Sequence, residues 1–350
     1  MNKRKPSAQA CLAEKVIDKG MCVTCGACVG LCPYFNYHDG NVVKMDNCCA
    51  EDGRCVTFCP QSGAMDFGDA AVDDTKFHGL GEYRKIVAAR CPDVRMVVQN
   101  GGVVTALVAF ALEKKIIKRA VLTDKGDGQA PCGRIVTDAD DLSDFSGSRY
   151  SAAAPLAALN RAAETDASAI GVVGLPCQIK ALYRRHHYLN QQEMADQVVL
   201  TIGLFCTWAL DYRKLNDYLA RQGLTGRILK CDIPPPPAET FRVYTEKGVT
   251  EFPLSHIREL IQKGCGLCED MTSRLADVSV GAFEGREEWN ILIIRTETGE
   301  SLVEQAVAEG RLVIEDFPEE NFGYLEKAAM NKQVRGTEAR QRLTEGEDRK

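Results

Sequence analysis

The side chains whose types and spacing most clearly predict chemistry in this chain are its sixteen cysteines. The first run has the spacing Cys-x2-Cys-x2-Cys-x3-Cys followed by proline, and its members are Cys22, Cys25, Cys28, Cys32 and Pro33. Bacterial ferredoxins bind 4Fe–4S clusters with this spacing, and their fourth cysteine binds the cluster of a second run. The run therefore indicates an iron–sulfur cluster and one-electron chemistry, which fits the spacing better than a four-cysteine zinc site does.

A second, less regular run follows in the same stretch of chain. It contains Cys49, Cys55 and Cys59, but Asp52 stands where the regular spacing requires a cysteine. If the two runs exchange their fourth cysteines, the ligands of the first cluster are Cys22, Cys25, Cys28 and Cys59. Those of the second cluster are Cys32, Cys49, Cys55 and one further group. Three completions stay open: Asp52 binds iron through oxygen, the adjacent Cys48 replaces it, or the site holds a three-iron cluster.

Four further cysteines, on three separate segments, are candidates for a third site: Cys177, Cys206, Cys265 and Cys268. Cys177 follows Pro176 at the predicted start of a helix, where free amides and the helix dipole favour a thiolate. Cys206 ends an apolar run that predicts a strand. The spacing alone allows a third cluster, a structural zinc ion or unrelated buried thiols. The remaining cysteines are expected to be packing residues: Cys11, Cys48, Cys91, Cys132 and Cys231.

Composition and charge limit the classes of protein to consider. The formal net charge of -6 argues against a nucleic-acid partner, because phosphate binding requires a basic surface. Ligand-like cysteine spacing in a chain of 350 residues indicates a reducing interior and metal rather than a secreted disulfide scaffold. The N-terminus has no apolar core of a signal peptide, and the longest apolar run, Val103–Leu112, is too short to cross a bilayer. We therefore expect a soluble, cytoplasmic protein, with peripheral docking on a membrane complex still open.

Short apolar runs alternate with helical patterns beyond the cysteine-rich runs, which predicts an α/β core. The predicted strands are Lys85–Ala89, Ala120–Thr123, Ile170–Val173, Val198–Phe205, Asp277–Val280 and Ile291–Arg295, with a hairpin of Thr240–Tyr244 and Val249–Phe252. The predicted helices are Gly102–Lys115, Pro176–Arg185 and Asp211–Arg221. Cys177 and Cys206 then follow strands, at the edge of an α/β sheet where ligands bind.

These patterns divide the chain into three parts. Residues 1–70 are predicted to form a ferredoxin-like domain with two 4Fe–4S clusters, which would depend on metal for much of its order. Residues 71–335 are predicted to form a mixed α/β domain. The polar stretch Gly68–Gly81 is the expected linker, and residues 336–350 are expected to be a charged, solvated tail.

Two glycine-containing segments are candidates for contact with a cofactor. GxGxxG and Walker-type motifs are missing from the sequence, so a Rossmann-bound nicotinamide and nucleotide hydrolysis lose support. The first segment opens an apolar helix, where glycine amides can bind phosphate or simply cap the helix; it contains Asn100, Gly101, Gly102 and Thr105. The second combines small residues with a cation and an aromatic ring: Gly147, Ser148, Arg149 and Tyr150. It suits a pyrophosphate or a flavin, or serves only as a turn.

Several short motifs in a fixed order carry a family resemblance. They are Gly101–Leu107, Gly147–Tyr150, Gly174–Ile179, Gly203–Cys206, Cys265–Cys268 and Ala276–Gly281. With these motifs the chain resembles the beta-subunit family of coenzyme F420 hydrogenases and dehydrogenases over residues 85–285, and the ferredoxin-like head extends the likeness. Its length and its two-cluster head are most similar to the electron-input subunit of membrane F420H2 dehydrogenases.

The resemblance implies an FAD-binding α/β domain that exchanges hydride with coenzyme F420. It also implies a 4Fe–4S cluster near the flavin, held by Cys177, Cys206, Cys265 and Cys268. On the same basis, the segments Asn100–Thr105 and Gly147–Tyr150, together with Gly174, are the expected flavin contacts. The polyanionic tail of F420 requires cations, and Lys180, Arg184 and Arg185 are candidates on a helix face that solvent explains equally well.

The function predicted from these residues and this resemblance is that of a flavin and iron–sulfur oxidoreductase. It would pass hydride between F420 and FAD, and single electrons through the clusters to or from a partner redox subunit or ferredoxin. The flavin would carry the chemistry, without a catalytic side chain. Two alternatives stay open: an electron-transfer adapter without flavin, and a reductase of the same family that uses a substrate other than F420.

Overall fold

A mixed sheet of eight strands forms the centre of the protein. The computed structural model describes residues 6–62, 78–93, 100–124, 126, 129–165, 168–194, 196–224, 226–234 and 237–347. Most of the predicted linker, Gly68–Gly81, lies outside the described residues. The strands are β1 (Phe35–His38), β2 (Asn41–Lys44), β3 (Lys85–Arg90), β4 (Arg119–Thr123), β5 (Gly133–Val136), β6 (Ile170–Gly174), β7 (Val198–Leu204), β8 (Ile228–Asp232), β9 (Thr240–Thr245), β10 (Gly248–Pro253), β11 (Val278–Ala282), β12 (Asn290–Ile294) and β13 (Val313–Asp316). The central sheet has the order β13-β3-β12-β11-β7-β6-β4-β5.

Five of these eight strands point in the same direction and end at one edge of the sheet. β4, β6, β7 and β11 pair in parallel. β3 has the same direction because both β3 and β11 are antiparallel to β12. The residues that follow the five carboxyl ends are Cys91, Asp124, Leu175, Phe205 and Phe283. In open α/β sheets this edge is the usual place for a ligand.

Helices cover both faces of the central sheet. The helices are α1 (Ala8–Leu12, continued by a π-helical turn, Ala13–Ile17), α2 (Arg54–Thr57), α3 (Val103–Glu113), α4 (Leu156–Thr165), α5 (Pro176–Gln191), α6 (Tyr212–Arg221), α7 (Leu254–Arg258), α8 (Glu297–Ala308) and α9 (Glu319–Glu347). Along β4, Ala120 and Leu122 pack in one core with α3 and α8, whereas Val121 packs in another core with α4 and α5. This alternation follows from the strand period of two and buries the strand on both sides.

A smaller antiparallel sheet, with the order β10-β9-β8, forms a separate core with α6 and α7. Phe241 of β9, Leu219 of α6 and Ile257 of α7 are buried in it. Tyr150 contacts Phe241 edge to face, with ring centres 5.6 Å apart. One of the two segments expected to contact a flavin is therefore fixed by this second core.

The cysteine-rich head, residues 6–62, is anchored directly to the central sheet domain. The backbone amide of Leu156, at the start of α4, donates to the carbonyl of Cys25 at 3.2 Å. One turn later, Asn160 Nδ2 donates to the carbonyl of Val29 at 2.8 Å, and this amide is buried. The first cysteine run is therefore bound to α4 through its backbone.

The α/β core predicted from the sequence is confirmed, and the ends of its predicted strands and helices are shifted by a few residues. The predicted hairpin is also present, as β9 and β10. Helix α9 runs without a break through residue 336, so its end does not coincide with the predicted start of a solvated tail. Across the described ranges, no helix is both long and apolar enough to span a membrane.

Candidate functional site

Four predicted ligand thiols of the head form one group, the first set: Cys22, Cys25, Cys28 and Cys59. Cys25 is buried and the other three are half-buried. Burial raises the pKa of Cys22 to about 12, and it raises the pKa of Cys25 and of Cys28 well above the ordinary range. The charge of Cys59 adds to all three shifts. Buried thiols of this kind are neutral unless a metal replaces the proton, so the group suits the thiolate ligands of a cluster.

The second thiol group of the head differs from the one that the spacing predicts. Burial raises the pKa of Cys55 to about 11, and the charges of Cys32 and Cys48 add to this shift. Cys49 and Asp52, in contrast, are both exposed. Cys48, which the sequence analysis also counted among the packing thiols, is therefore the residue that the structure brings to Cys32 and Cys55. We call these three residues the second set.

The four scattered cysteines come together at the carboxyl edge of the central sheet and form the third set: Cys177, Cys206, Cys265 and Cys268. Burial raises the pKa of Cys177 well above the ordinary range, and the charges of the other three thiols add to the shift. Burial likewise raises the pKa of Cys206 to about 11 and that of Cys265 to about 12. Three segments that are distant in sequence therefore build one group of thiols.

The turn that carries Cys265 is held against the head by two buried amide side chains. Gln61 Nε2 donates to the carbonyl of Gly264 at 2.8 Å. Gln262 Nε2 donates to Thr24 Oγ1 at 2.9 Å. Because both bonds join the head to this turn, the positions of the first and third sets are fixed relative to each other.

The three thiol sets are neighbours in a series. The charge of Cys25, in the first set, raises the pKa of Cys177 in the third. The charge of Cys55, in the second set, raises the pKa of Cys28 in the first. The first set therefore lies between the third set, at the sheet edge, and the second set, next to the exposed Cys49. Such a series suits the transfer of single electrons from one end to the other.

The third set borders open space. A cleft beside it is lined by Cys177, Cys268, Lys180, Arg274 and Arg340, together with the carboxylates Glu269 and Asp270. Among the described residues, no group of three or more His, Cys, Asp or Glu side chains is arranged to hold a metal ion.

Helix α9 covers the third set and contributes residues that the sequence analysis did not identify. Lys332 Nζ donates to the backbone carbonyl of Cys206 at 2.5 Å. Gly336 lies so close to the next part of the set that a Cβ there would be 2.8 Å from the carbonyl oxygen of Cys268. The signal that could have found them is helical spacing, because Leu325, Lys332 and Gly336 recur on one buried face.

Electrostatics hold the ammonium group of Lys332 in its charged form. Burial by itself would lower the pKa of Lys332, since removal from water disfavours the charge. When the thiols Cys268, Cys206 and Cys265 are ionised, as they are in a cluster, their negative charges and that of Asp270 outweigh burial and raise this pKa. The third set therefore has a fixed positive charge beside it.

The cations predicted to bind the tail of F420 differ in their surroundings. Arg184 is 1% exposed; its guanidinium donates to the carbonyl of Cys59 at 2.5 Å and also to Ser62 Oγ. The expectation that Arg184 lies on an open helix face is therefore wrong, because this side chain is buried against the first set. Arg185 forms an ion pair with Asp196. Of the three predicted cations, Lys180 is the one that lines the cleft beside the third set.

The first expected flavin segment lies where β3 ends and α3 begins. Asn100 and Gly102 both have positive φ angles, of 55° and 69°, and make the tight turn into α3. A Cβ on Gly101 would lie 2.8 Å from Asn290 Oδ1, so close packing requires glycine there. Asn290 Oδ1 also accepts from the amide of Val103, at 3.4 Å. The double glycine therefore has a structural role, and its contact with a flavin stays a prediction, as does that of the half-buried Thr105.

This helix start is connected to the third set along the sheet edge. Asn290 Nδ2 donates to the carbonyl of Gly281 at 3.0 Å. The ring of Phe205 packs directly on Gly281, where a Cβ would overlap it. Cys206 is the next residue. Gly174, which ends β6, is buried at the same edge. The start of α3, Gly174 and the third set therefore lie along one edge of the sheet.

The second expected flavin segment is a turn that the protein itself partly satisfies. The Arg149 guanidinium donates to the carbonyl of Gly147 at 2.8 Å. The Tyr150 hydroxyl accepts from the backbone amide of Ile233 at 3.1 Å. Ser148 is exposed. The segment adjoins the carboxyl end of β4, because Arg149 Nε donates to the carbonyl of Asp124 at 3.3 Å. It is also linked to the chain that follows Cys206, since the amide of Leu210 donates to the carbonyl of Tyr150 at 2.7 Å.

Two family models match adjoining parts of the chain. The model of the N-terminal part of the coenzyme F420 hydrogenase/dehydrogenase beta subunit matches residues 86–160. The model of its C terminus matches residues 167–320. Together they cover the central sheet, the smaller sheet and all four cysteines of the third set.

Known proteins of similar sequence and structure support the same relationship. The chain is 31% identical to coenzyme F420 hydrogenase subunit beta of Methanothermobacter thermautotrophicus, over 72% of this chain and 92% of that protein. It is 27% identical to one of the subunits of the F420H2 dehydrogenase of Methanosarcina mazei, over 87% of each protein. Its structure matches a chain of the F420-reducing NiFe hydrogenase complex from Methanosarcina barkeri with a TM-score of 0.67 and 28% identity, over 77% of this chain and 94% of that chain.

The α/β fold, the thiol sets at the sheet edge and these relatives define the protein as an oxidoreductase. The mixed α/β fold is shared with the matched chain of the hydrogenase complex. The chain belongs to the coenzyme F420 hydrogenase/dehydrogenase beta-subunit family. The family predicted from the sequence motifs is therefore confirmed.

Proposed function

We propose that the protein is an F420-linked flavin and iron–sulfur subunit of an electron-transfer complex. The observation that carries this proposal is the convergence of the third set at the ligand edge of the sheet, next to the first set. Membership of the family supports coenzyme F420 as the two-electron partner. The relatives named as subunits of a hydrogenase and of a dehydrogenase support a partner redox subunit, with ferredoxin as the other candidate carrier.

The donors present fit iron–sulfur clusters, because each set consists of thiols that share burial and act on each other electrostatically. One cluster would be held by the first set and another by the third set. The remaining one would be held by Cys32, Cys48 and Cys55, with Cys49 or Asp52 as the fourth group. When bound, the clusters exchange single electrons, and FAD converts between these and the hydride that F420 carries.

The protein's own residues prepare these places by removing water and fixing charge. Partial burial of the thiols restricts the access of solvent to the first set and, away from the cleft, to the third set. Arg184 and Lys180 place positive charge beside Cys59, where both cations oppose the rise in pKa that burial causes. Positive charge at this point stabilises thiolates and, with them, the net negative charge of a bound cluster.

The proposed flavin contacts lie on both sides of the third set. On one side are the residues of the α3 start, Asn100, Gly101, Gly102 and Thr105. On the other side are Gly147, Ser148, Arg149 and Tyr150, and Gly174 lies at the same edge. For the polyanionic tail of F420, the cleft offers the positive charge of Lys180. Arg274 and Arg340 also line it, but they pair with Asp270 and Glu269 of the same cleft.

Anaerobic reconstitution of the full chain with iron, sulfide and FAD tests the proposal. Three four-iron clusters require about 12 iron atoms per chain. We expect that count, stoichiometric FAD, and oxidation of reduced F420 when a one-electron dye is present. Cys206→Ser should lose about four iron atoms and dye reduction. Cys11→Ser, outside the three sets, should retain both.

Three results would contradict the proposal in different ways. A chain that holds iron but retains no FAD would be an electron-transfer adapter. A chain that holds both iron and FAD but does not oxidise reduced F420 would be a reductase for another substrate. Failure to retain iron in the third set would remove the observation on which the proposal rests.

A further inference from the structure

Lys332 is a buried cation in direct contact with the third set. It lies on α9, and only 4% of its surface is exposed. Its ammonium group donates to the backbone carbonyl of Cys206 at 2.5 Å. The chain therefore places the charged end of a long side chain at one of the four thiol positions.

A buried lysine without compensating charge would cost several kcal/mol, so its neighbours indicate what it is for. The negative groups that face Lys332 are the thiols Cys206, Cys265 and Cys268 and the carboxylate of Asp270. Asp270 is shared, because its carboxylate also accepts from the backbone amides of Thr272 and Arg274, both at 2.9 Å. The thiol set, which would gain the negative charge on reduction, therefore lies directly beside the Lys332 ammonium group.

Helix α9 holds this cation in one place. The close contact of Gly336 with the carbonyl of Cys268 fixes the distance between α9 and the set. One turn further on, Arg340 Nε donates to the carbonyl of Leu267 at 2.8 Å. Because α9 is attached on the C-terminal side of Lys332, the backbone of this residue stays beside the set when the charge of the set changes.

We propose that Lys332 is a positioning residue that raises the reduction potential of the cluster at Cys177, Cys206, Cys265 and Cys268. The inference rests on the proposed function, since it requires a cluster in the third set. Reduction adds one electron to the cluster and breaks no bond, so the cluster becomes more negative by one charge. A fixed cation at contact distance stabilises the reduced state more than the oxidised state. Lys332 thereby makes the third set the better electron acceptor from the flavin.

The test is an EPR-monitored redox titration of the reconstituted full chain, reduced stepwise with dithionite. The signal of the third set is the one that Cys265→Ser alters. We expect Lys332→Met to shift the one-electron equilibrium at this signal at least about tenfold towards the oxidised state, or about 59 mV downwards. Lys332→Arg keeps the positive charge and should have a potential close to that of the wild-type chain. The other cluster signals should stay in place.

Two further variants separate charge from structure. Lys332→Gln keeps a donor for the Cys206 carbonyl but has no charge, and it should shift the potential as Lys332→Met does. Lys327→Met removes an exposed lysine from the same helix and should leave the potential unchanged. An unshifted potential in both Lys332→Met and Lys332→Gln would overturn the inference. Loss of the third set's iron from both would overturn it too, because Lys332 would then hold the site together rather than tune it.

The outcome for the wild-type chain separates this inference from the proposed function. If the wild-type chain binds no iron at the third set, the proposed function fails and the inference fails with it. If the iron is present and F420 is oxidised, but Lys332→Met leaves the potential unchanged, the inference alone fails.

Discussion

Alanine at Gly336 should destabilise the protein, although alanine normally stabilises a helix. In the interior of a helix, Gly→Ala contributes up to about 1 kcal/mol. At Gly336, however, the new Cβ would lie 2.8 Å from the Cys268 carbonyl oxygen and 2.7 Å from Glu269 Cγ. Overpacking of this kind costs about 1–3 kcal/mol, because backbone has to move. The expected net effect is a loss of up to about 2 kcal/mol.

Gly323 provides a matched control on the same helix. It is exposed, and a Cβ there would meet no atom within 4 Å. Gly323→Ala should therefore gain up to about 1 kcal/mol. Thermal unfolding of both reconstituted variants, at one scan rate and followed by circular dichroism, should move the midpoints in opposite directions. The Gly336→Ala variant should also lose iron from the third set. Equal stabilisation by both substitutions would refute the close contact between α9 and Cys268.

Further predictions concern the head and its attachment to the sheet domain. Cys48→Ser should remove more iron from the second set than Cys49→Ser, because Cys48 acts on Cys55 while Cys49 is exposed; equal iron loss in the two variants would contradict this assignment. Asn160→Ala should cost about 1–3 kcal/mol, because it leaves buried carbonyls of the first cysteine run without their donor. An unchanged thermal midpoint would show that this anchor contributes nothing. Arg184→Met should loosen the first set, because the Cys59 carbonyl loses a charged donor; iron analysis should show that set depleted, whereas full retention would argue against the role of Arg184.

Much of the central domain could be predicted because its signals are local. The apolar runs of β6 and β7 and the apolar helix α3 are each visible within a few residues of sequence. The short, partly exposed strands β5, β8 and β13 carry weaker patterns, and their pairing depends on contacts distant in sequence. The order of the strands in the sheet could not be predicted either, because local patterns do not determine which strands pair with each other.

For the candidate site, spacing found the thiols but not the groups that surround them. The third set could be anticipated because Cys177 and Cys206 follow strands that end at one edge. The helical spacing of Lys332 with Leu325 and Gly336 is a weaker signal, since a lysine within a charged helix normally points to solvent. Arg184 was misjudged for the same reason. In both cases a neighbour distant in sequence, a backbone carbonyl of a cysteine, decides where the cation lies.

The position of α9 over the third set has a consequence for how the protein is made. Synthesis proceeds from the N-terminus, and early segments begin to fold while later ones are still being added. Cys177, Cys206, Cys265 and Cys268 all emerge before α9, which then covers them. We therefore expect an open route for iron delivery in the nascent chain that closes when α9 docks. Maturation of this site is then a matter of timing as well as of ligands.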